Sequence, residues 1–374
     1  MKKEADAVHE GSSIDAGRIF MPSVRKMEPY NPPLEGRAKE GHLRFDFNER
    51  TTPPHRLVRE AIGQYVGSGE FQVYPEYGDL NEIIANYIKG VESSQIIAAN
   101  GSDQAIDIIY RALVGRGDNV IIPAPTFAML EQSAHIQGAN IISPRYEGEN
   151  LDFPFDEVMD KIKPGIKLVV ICNPNNPTGT TLAKDKSEAI IKKAKEAGAG
   201  VLVDEAYHEF APDCSVVDLI GKYFNLFITR SFSKVMGISG LRAGCAVSQE
   251  KNIRELMKIR GPYDVNMAAA AAMKALRHPE VVDDIKGYIS EVMEVSKPTL
   301  EKFYEENGIK YYPSDAGFHL LEDKDRVLTN FLKSKEILVR PRSDPPGTVR
   351  VSIGTREDTR KYMEAFQEYL KESR

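Results

Sequence analysis

The stretch IKLVVICNPNNPTG, residues 166–179, sets a short apolar run directly before a loop crowded with asparagine and proline. Seven residues rich in valine and isoleucine are too few for a core helix and suit a strand buried on both faces. The two prolines and three asparagines that follow fix an irregular loop with side-chain donors aimed at the strand end. Asn176 is the donor singled out.

The same arrangement recurs on either side. KDKSEAIIKKAKEAG (184–198) has helical periodicity, and GVLVDEAY (200–207) is again an apolar run that ends in polar groups. Further strand candidates are QIIAAN, DNVIIPAP, NIISPRY, NLFITRSFS and RAGCAVS, with a helical SDQAIDIIYRALVG between the first two. This alternation predicts an α/β fold, a mostly parallel sheet flanked by helices, over residues 46–260. Residues 1–45 are polar and then proline-rich (MEPYNPPLEG), an extended arm joined to the smaller domain. Residues 261–374 open with the alanine-rich NMAAAAAMKALRH and turn to short strands and a last amphipathic helix, a smaller α+β domain.

Bulk properties narrow the function. A chain of 374 residues exceeds what one hydrophobic core serves, and 41% hydrophobic with 28% charged residues is ordinary globular composition. A net charge of −6 gives no footprint for nucleic acid or an anionic membrane. Three widely spaced cysteines (172, 214, 245) make no disulfide framework and fit a reducing cytoplasm. Seven histidines without an HxxxH or HxH pair give no metal site. The N-terminus lacks the apolar core of a signal peptide, and no run is long enough to span a bilayer.

In an open α/β sheet, ligands bind beyond the carboxyl ends of the strands, and five polar clusters sit there. NGSDQAID (100–107) starts a helix whose free N–H groups suit a phosphate, unless Ser102 merely caps it. Phe127 follows PAPT, and Asn176 lies in the NPNNPTG loop. Asp204 ends a buried strand and needs a cationic or donor partner. A magnesium-ATPase reading of Asp204 fails without a GxxxxGK[ST] loop, and no GxGxxG supports a dinucleotide. SFSKVMGISGLRAG (231–244) places Lys234 among small and apolar residues, where desolvation would favour the neutral, nucleophilic amine. Ser231, Ser233 and Arg242 around it form a phosphate-binding set. A nucleophilic amine, a phosphate cradle, a buried carboxylate and an aromatic ring together fit pyridoxal 5′-phosphate.

The order NGSD, PTF, NPNNPTG, DEAY, SFSK and GLRAG resembles that of fold-type I aminotransferases, and the arm and C-terminal strand resemble the histidinol-phosphate branch. The likeness runs from about Tyr30 to the C-terminus. It implies that Lys234 carries pyridoxal phosphate and then shuttles a proton between the substrate α-carbon and the cofactor. It further implies that Asp204 pairs with the pyridine nitrogen, that Tyr207 and Asn176 hydrogen-bond the ring oxygen, and that Phe127 stacks on the ring. Ser102, Asp103, Ser231, Ser233 and Arg242 would hold the phosphate, and Tyr74 would reach it from the second subunit of a homodimer. Arg350 of GTVRVSIGT, with Arg340 and Tyr30, would bind the substrate anion, while Val349, Val351 and Ile353 point the other way.

The implied reaction converts histidinol phosphate and 2-oxoglutarate to imidazole-acetol phosphate and glutamate. Transfer from aromatic or other amino acids, or decarboxylation of the threonine-phosphate type, are the alternatives on this scaffold. A DNA-binding regulator finds no room in the chain's length or charge. DFNERTTPPH where an NENP-type segment is usual, Gln104 where glutamate is common, and Gly317 before Phe318 depart from the branch pattern. All three are expected to lie outside the cofactor set.

Overall fold

A computed structural model describes residues 19–33, 37 and 41–372. Among these residues twelve strands form two sheets. Strands β2 (Ile96–Ala99), β3 (Asn119–Ile121), β4 (Asn140–Ile142), β5 (Ile166–Cys172), β6 (Gly200–Asp204), β7 (Leu226–Ser231) and β8 (Gly244–Ser248) build the larger one. Its order is β2-β8-β7-β6-β5-β3-β4. Only β8 runs against its neighbours, so the other carboxyl ends share one edge.

Strand β5 shows why these runs read as continuously apolar. Val169 and Ile171 enter one core cluster, while Leu168, Val170 and Cys172 enter the cluster on the opposite face. Both faces are covered by helices, including Lys184–Glu196 on one side and Gly101–Leu113 on the other. Alternating polarity would have buried unpaired polar groups on one of them.

The smaller sheet joins β1 (Leu43–Phe45), β9 (Tyr311–Tyr312), β10 (Phe318–Glu322), β11 (Ile337–Arg342) and β12 (Thr348–Ser352) in the order β1-β11-β12-β10-β9. Val349, Val351 and Ile353 face its core with Tyr304, Tyr362 and Phe366.

Packing departs from the expected domain limits at two places. The alanine-rich helix Met267–Lys274 does not open the smaller domain. Its Ala269, Ala270, Ala272 and Met273 are buried in the larger core, where small side chains allow close helix approach. The change of core comes within the next helix, Pro279–Ser290, with Val281 and Ile285 in the larger cluster and Tyr288 in the smaller. The arm also divides. Strand β1 pairs in parallel with β11, whereas Ser23 Oγ donates to the Ile136 carbonyl of a large-domain helix at 3.3 Å. The first eighteen residues of the arm lie outside the described residues. Among the described residues, no helix is long and apolar enough to cross a membrane.

Candidate active site

The sheet edge gathers what the strand-end motifs promised. A cavity of about 260 Å³ is lined by Ser102, Asp103, Phe127, Asn176, Asp204, Tyr207, Ser231, Ser233, Lys234 and Arg242. Tyr30, Arg340 and Arg350 line a smaller adjoining cavity of about 80 Å³, which shares Lys234, Asn176, Phe127 and Tyr207 with the first. A larger void, about 660 Å³, lies between residues 22–30 and the helix Ala128–Gln137. Volume does not select the site, because that void has none of the strand-end groups. Tyr74 lines neither site cavity; it is 73% exposed and stacks on Tyr263, with ring centroids 4.3 Å apart.

Part of the main cavity's lining is built for an anion. The helix Gly101–Leu113 begins at Asn100 with no side-chain cap, so Ser102 does not cap it. Its first turn faces the cavity through Ser102 and Asp103, with the positive dipole end exposed. Gly244 makes this approach possible. A Cβ there would lie 2.4 Å from Ser102 N and 2.8 Å from the Arg230 carbonyl oxygen. Arg242 holds a left-handed backbone (φ 58°), while its guanidinium donates to Asp103 at 2.9 Å and to the Ser239 carbonyl at 3.1 Å. Ser233 Oγ is buried without a hydrogen-bond partner.

Asp204 lines the same cavity. It is 1% exposed and accepts from Thr229 Oγ1 at 2.8 Å, with the Cys172 thiol 3.8 Å away. Burial, helped by the charge of Asp103, raises its carboxyl to about 6. Among the described residues no cationic side chain pairs with it, unlike Glu205, which accepts from Arg230 at 2.7 and 3.0 Å. A buried carboxylate facing a cavity without a counter-charge suits a cationic ligand atom.

Lys234 Nζ, in the same lining, donates to the Phe47 carbonyl at 3.1 Å and lies 5.5 Å from the Tyr207 ring centroid. Tyr207 OH accepts from Asn48 Nδ2 at 3.0 Å, and Asn48 is tied in turn to Ser352 of β12. Arg350 is 5% exposed and donates to Asn176 Oδ1 at 2.5 Å and to the Asp46 carbonyl at 2.6 Å. Burial draws it down to about 10, still charged at neutral pH. These contacts correct one expectation: segment 46–50 does reach the cofactor set, through Phe47 and Asn48. Gln104 and Gly317 are absent from both linings; Gln104 accepts from Asn100 N at 2.7 Å, and Gly317 leaves room for the Phe210 ring.

Arg342, Phe47, Asn48, Glu49 and Arg37 were missed in the sequence. Arg342 had a usable signal. It lies two residues beyond Arg340 on one strand, hence on the same face.

Residues 41–366 match the family model for aminotransferase class I and II. The chain belongs to that family. This aminotransferase is 33% identical over 369 residues to the histidinol-phosphate aminotransferase of Geobacillus sp. (strain WCH70), covering 93% of this chain and 97% of that one. It is 34% identical over 339 residues to the enzyme of that name from Thermoanaerobacter sp. (strain X514), covering 87% and 93%. Among solved structures, the Sinorhizobium meliloti histidinol-phosphate aminotransferase in complex with pyridoxal 5′-phosphate superposes with a TM-score of 0.82 at 22% identity, covering 97% of this chain and all of that one. The aminotransferase fold and the strand-end site therefore coincide in one chain.

Proposed function

We propose that this aminotransferase uses pyridoxal 5′-phosphate to move an amino group from histidinol phosphate to 2-oxoglutarate. One observation carries the cofactor assignment. A lysine amine, an uncapped helix start with Arg242 and a buried carboxylate that has no cationic partner among the described residues line one cavity at the sheet edge. The donor set fits the group, and the buried, unpartnered Ser233 Oγ supports a phosphate beside it.

When bound, pyridoxal 5′-phosphate supplies an aldehyde that condenses with amines and a ring that accepts the electron pair released at the substrate α-carbon. The chain's own residues do the rest. Arg242, Ser231, Ser233 and the N–H groups at Ser102 and Asp103 hold the phosphate. Asp204 keeps the proton on the ring nitrogen, and a charge fixed in advance in a dry site costs no reorganisation during reaction. Phe127, Tyr207 and Asn176 line the same cavity, where Phe127 would offer an apolar face and the other two would offer hydrogen-bonding groups to the ring. Lys234 Nζ would be the amine that holds the cofactor and, once free, the base that holds the proton of the substrate α-carbon. Arg350 binds the substrate anion with help from Arg340, whose Nη2 donates to Tyr30 OH at 3.3 Å. Guanidinium forks match carboxylate and phosphate alike, which lets one pocket serve both substrates.

The same reading makes the enzyme a cytoplasmic homodimer. Tyr74, Tyr263, Phe71 and Val73 are all more than half exposed, an apolar surface suited to a second copy of this chain. Borohydride reduction of the purified protein, followed by digestion, is expected to find a pyridoxyl group on Lys234, with turnover of histidinol phosphate and 2-oxoglutarate. An unmodified Lys234 peptide would refute the cofactor assignment, and activity with aromatic donors only would refute the substrate.

A further inference from the structure

The antiparallel register of β11 and β12 sets Arg340 opposite Arg350 and Arg342 opposite Thr348. Arg340 and Arg342 are two apart on one strand, so three guanidiniums share a single face of the smaller sheet. All three line the small cavity with Tyr30, Tyr207, Asn176 and Lys234. Among the described residues that lining contains no carboxylate. The nearest acid in sequence, Asp344, is engaged by Arg145 through hydrogen bonds of 2.6 and 2.9 Å.

Each guanidinium keeps an unmet donor. Arg340 Nη1, Arg342 Nε and Arg350 Nε are buried without acceptors. Arg350 is already anchored on Asn176 and the Asp46 carbonyl, and Arg340 on Tyr30. Arg342 has no such anchor among the hydrogen bonds of the described residues. Like charges gathered in a buried pocket repel until an anion arrives. A carboxylate brings one negative charge and is satisfied by one fork. A phosphate monoester near neutral pH brings close to two charges and three acceptor oxygens, enough for two forks.

We propose that Arg342 is a specificity-determining residue, which with Arg340 makes this pocket select a doubly charged phosphate monoester over a carboxylate. The proposal rests on the reading of the substrate given above. It deepens that reading by assigning the discrimination to a residue that the transfer chemistry does not need.

The test uses the cofactor-loaded enzyme, whose own phosphate cradle is filled, as wild type, Arg342→Met and Arg342→Lys. Calorimetric titration with methylphosphonate and with acetate reads the pocket directly, and steady-state rates separate KM from kcat. Arg342→Met is expected to weaken methylphosphonate and raise KM for histidinol phosphate by tenfold or more. Acetate affinity, KM for glutamate and kcat should stay within threefold, and Arg342→Lys should recover part of the loss. Unchanged methylphosphonate binding, or equal weakening of both anions, would overturn the proposal. Should Arg342→Met fail to fold, the ratio of the two affinities in Arg342→Lys decides by the same criterion. A wild type that prefers methylphosphonate through Arg342 yet does not turn over histidinol phosphate supports the residue's role and refutes the substrate assignment alone.

Discussion

Replacing Asp204 by asparagine should stabilise the cofactor-free protein while crippling the enzyme. The carboxyl is fully buried and raised from 3.8 to about 6. A native-state acid that holds its proton more tightly than the unfolded one favours folding at low pH. That contribution is lost as pH climbs from about 4 to about 6. Two pKa units correspond to about 3 kcal/mol, the approximate cost of keeping the ionised carboxylate buried at pH 7.5. Asparagine carries no such cost and can still accept the hydrogen bond from Thr229 Oγ1. Urea unfolding of both proteins, stripped of cofactor, at pH 5 and pH 7.5 isolates the effect, because other titrating groups cancel in the difference. The stability gained by Asp204→Asn should be larger at pH 7.5 than at pH 5 by about 1.4 kcal/mol, the span of one pKa unit. Turnover of the loaded variant should fall by about 10² or more, as when one preorganised electrostatic partner is removed. A gain that does not depend on pH would refute the uncompensated carboxylate. Wild-type turnover would refute its role at the ring nitrogen.

The neighbouring acid should behave in the opposite way. Glu205 is 0% exposed and holds Arg230, Ser215 Oγ and Val216 N, so Glu205→Gln leaves a buried guanidinium without its counter-charge. A loss of about 3 kcal/mol in urea unfolding is expected, and no loss would refute the pairing. Sedimentation equilibrium should give twice the chain mass, with Tyr74→Ala lowering cofactor retention; a monomer that retains cofactor fully would remove Tyr74 from the site.

Much of this was legible in the sequence because the larger sheet is buried on both faces. Its strands appear as unbroken apolar runs, and the polar groups that end them stand out against that background. Asp204, Asn176 and Lys234 were visible for this reason. Phe47 was invisible, since its carbonyl meets Lys234 and its ring meets Arg340 only once distant segments are folded together. Asn48 meets Tyr207 only after the chain brings together positions 159 residues apart. The alanine-rich helix was assigned to the wrong core because alanine periodicity does not reveal which partner a helix packs against. Arg342 was the avoidable omission, since the reasoning that turned Arg350 inward applies equally to Arg340 and its second neighbour.

One helix, Pro279–Ser290, sends Val281 and Ile285 into one apolar cluster and Tyr288 into the other, while its Asp284 holds Arg50 at 2.7 Å. A continuous rod anchored at both ends ties the fates of the two halves together. Neither half can melt alone without stripping that rod of part of its burial, so heat or urea should dismantle the molecule as a unit. A weakness introduced far from the catalytic edge, in either half, would then be felt by the whole enzyme.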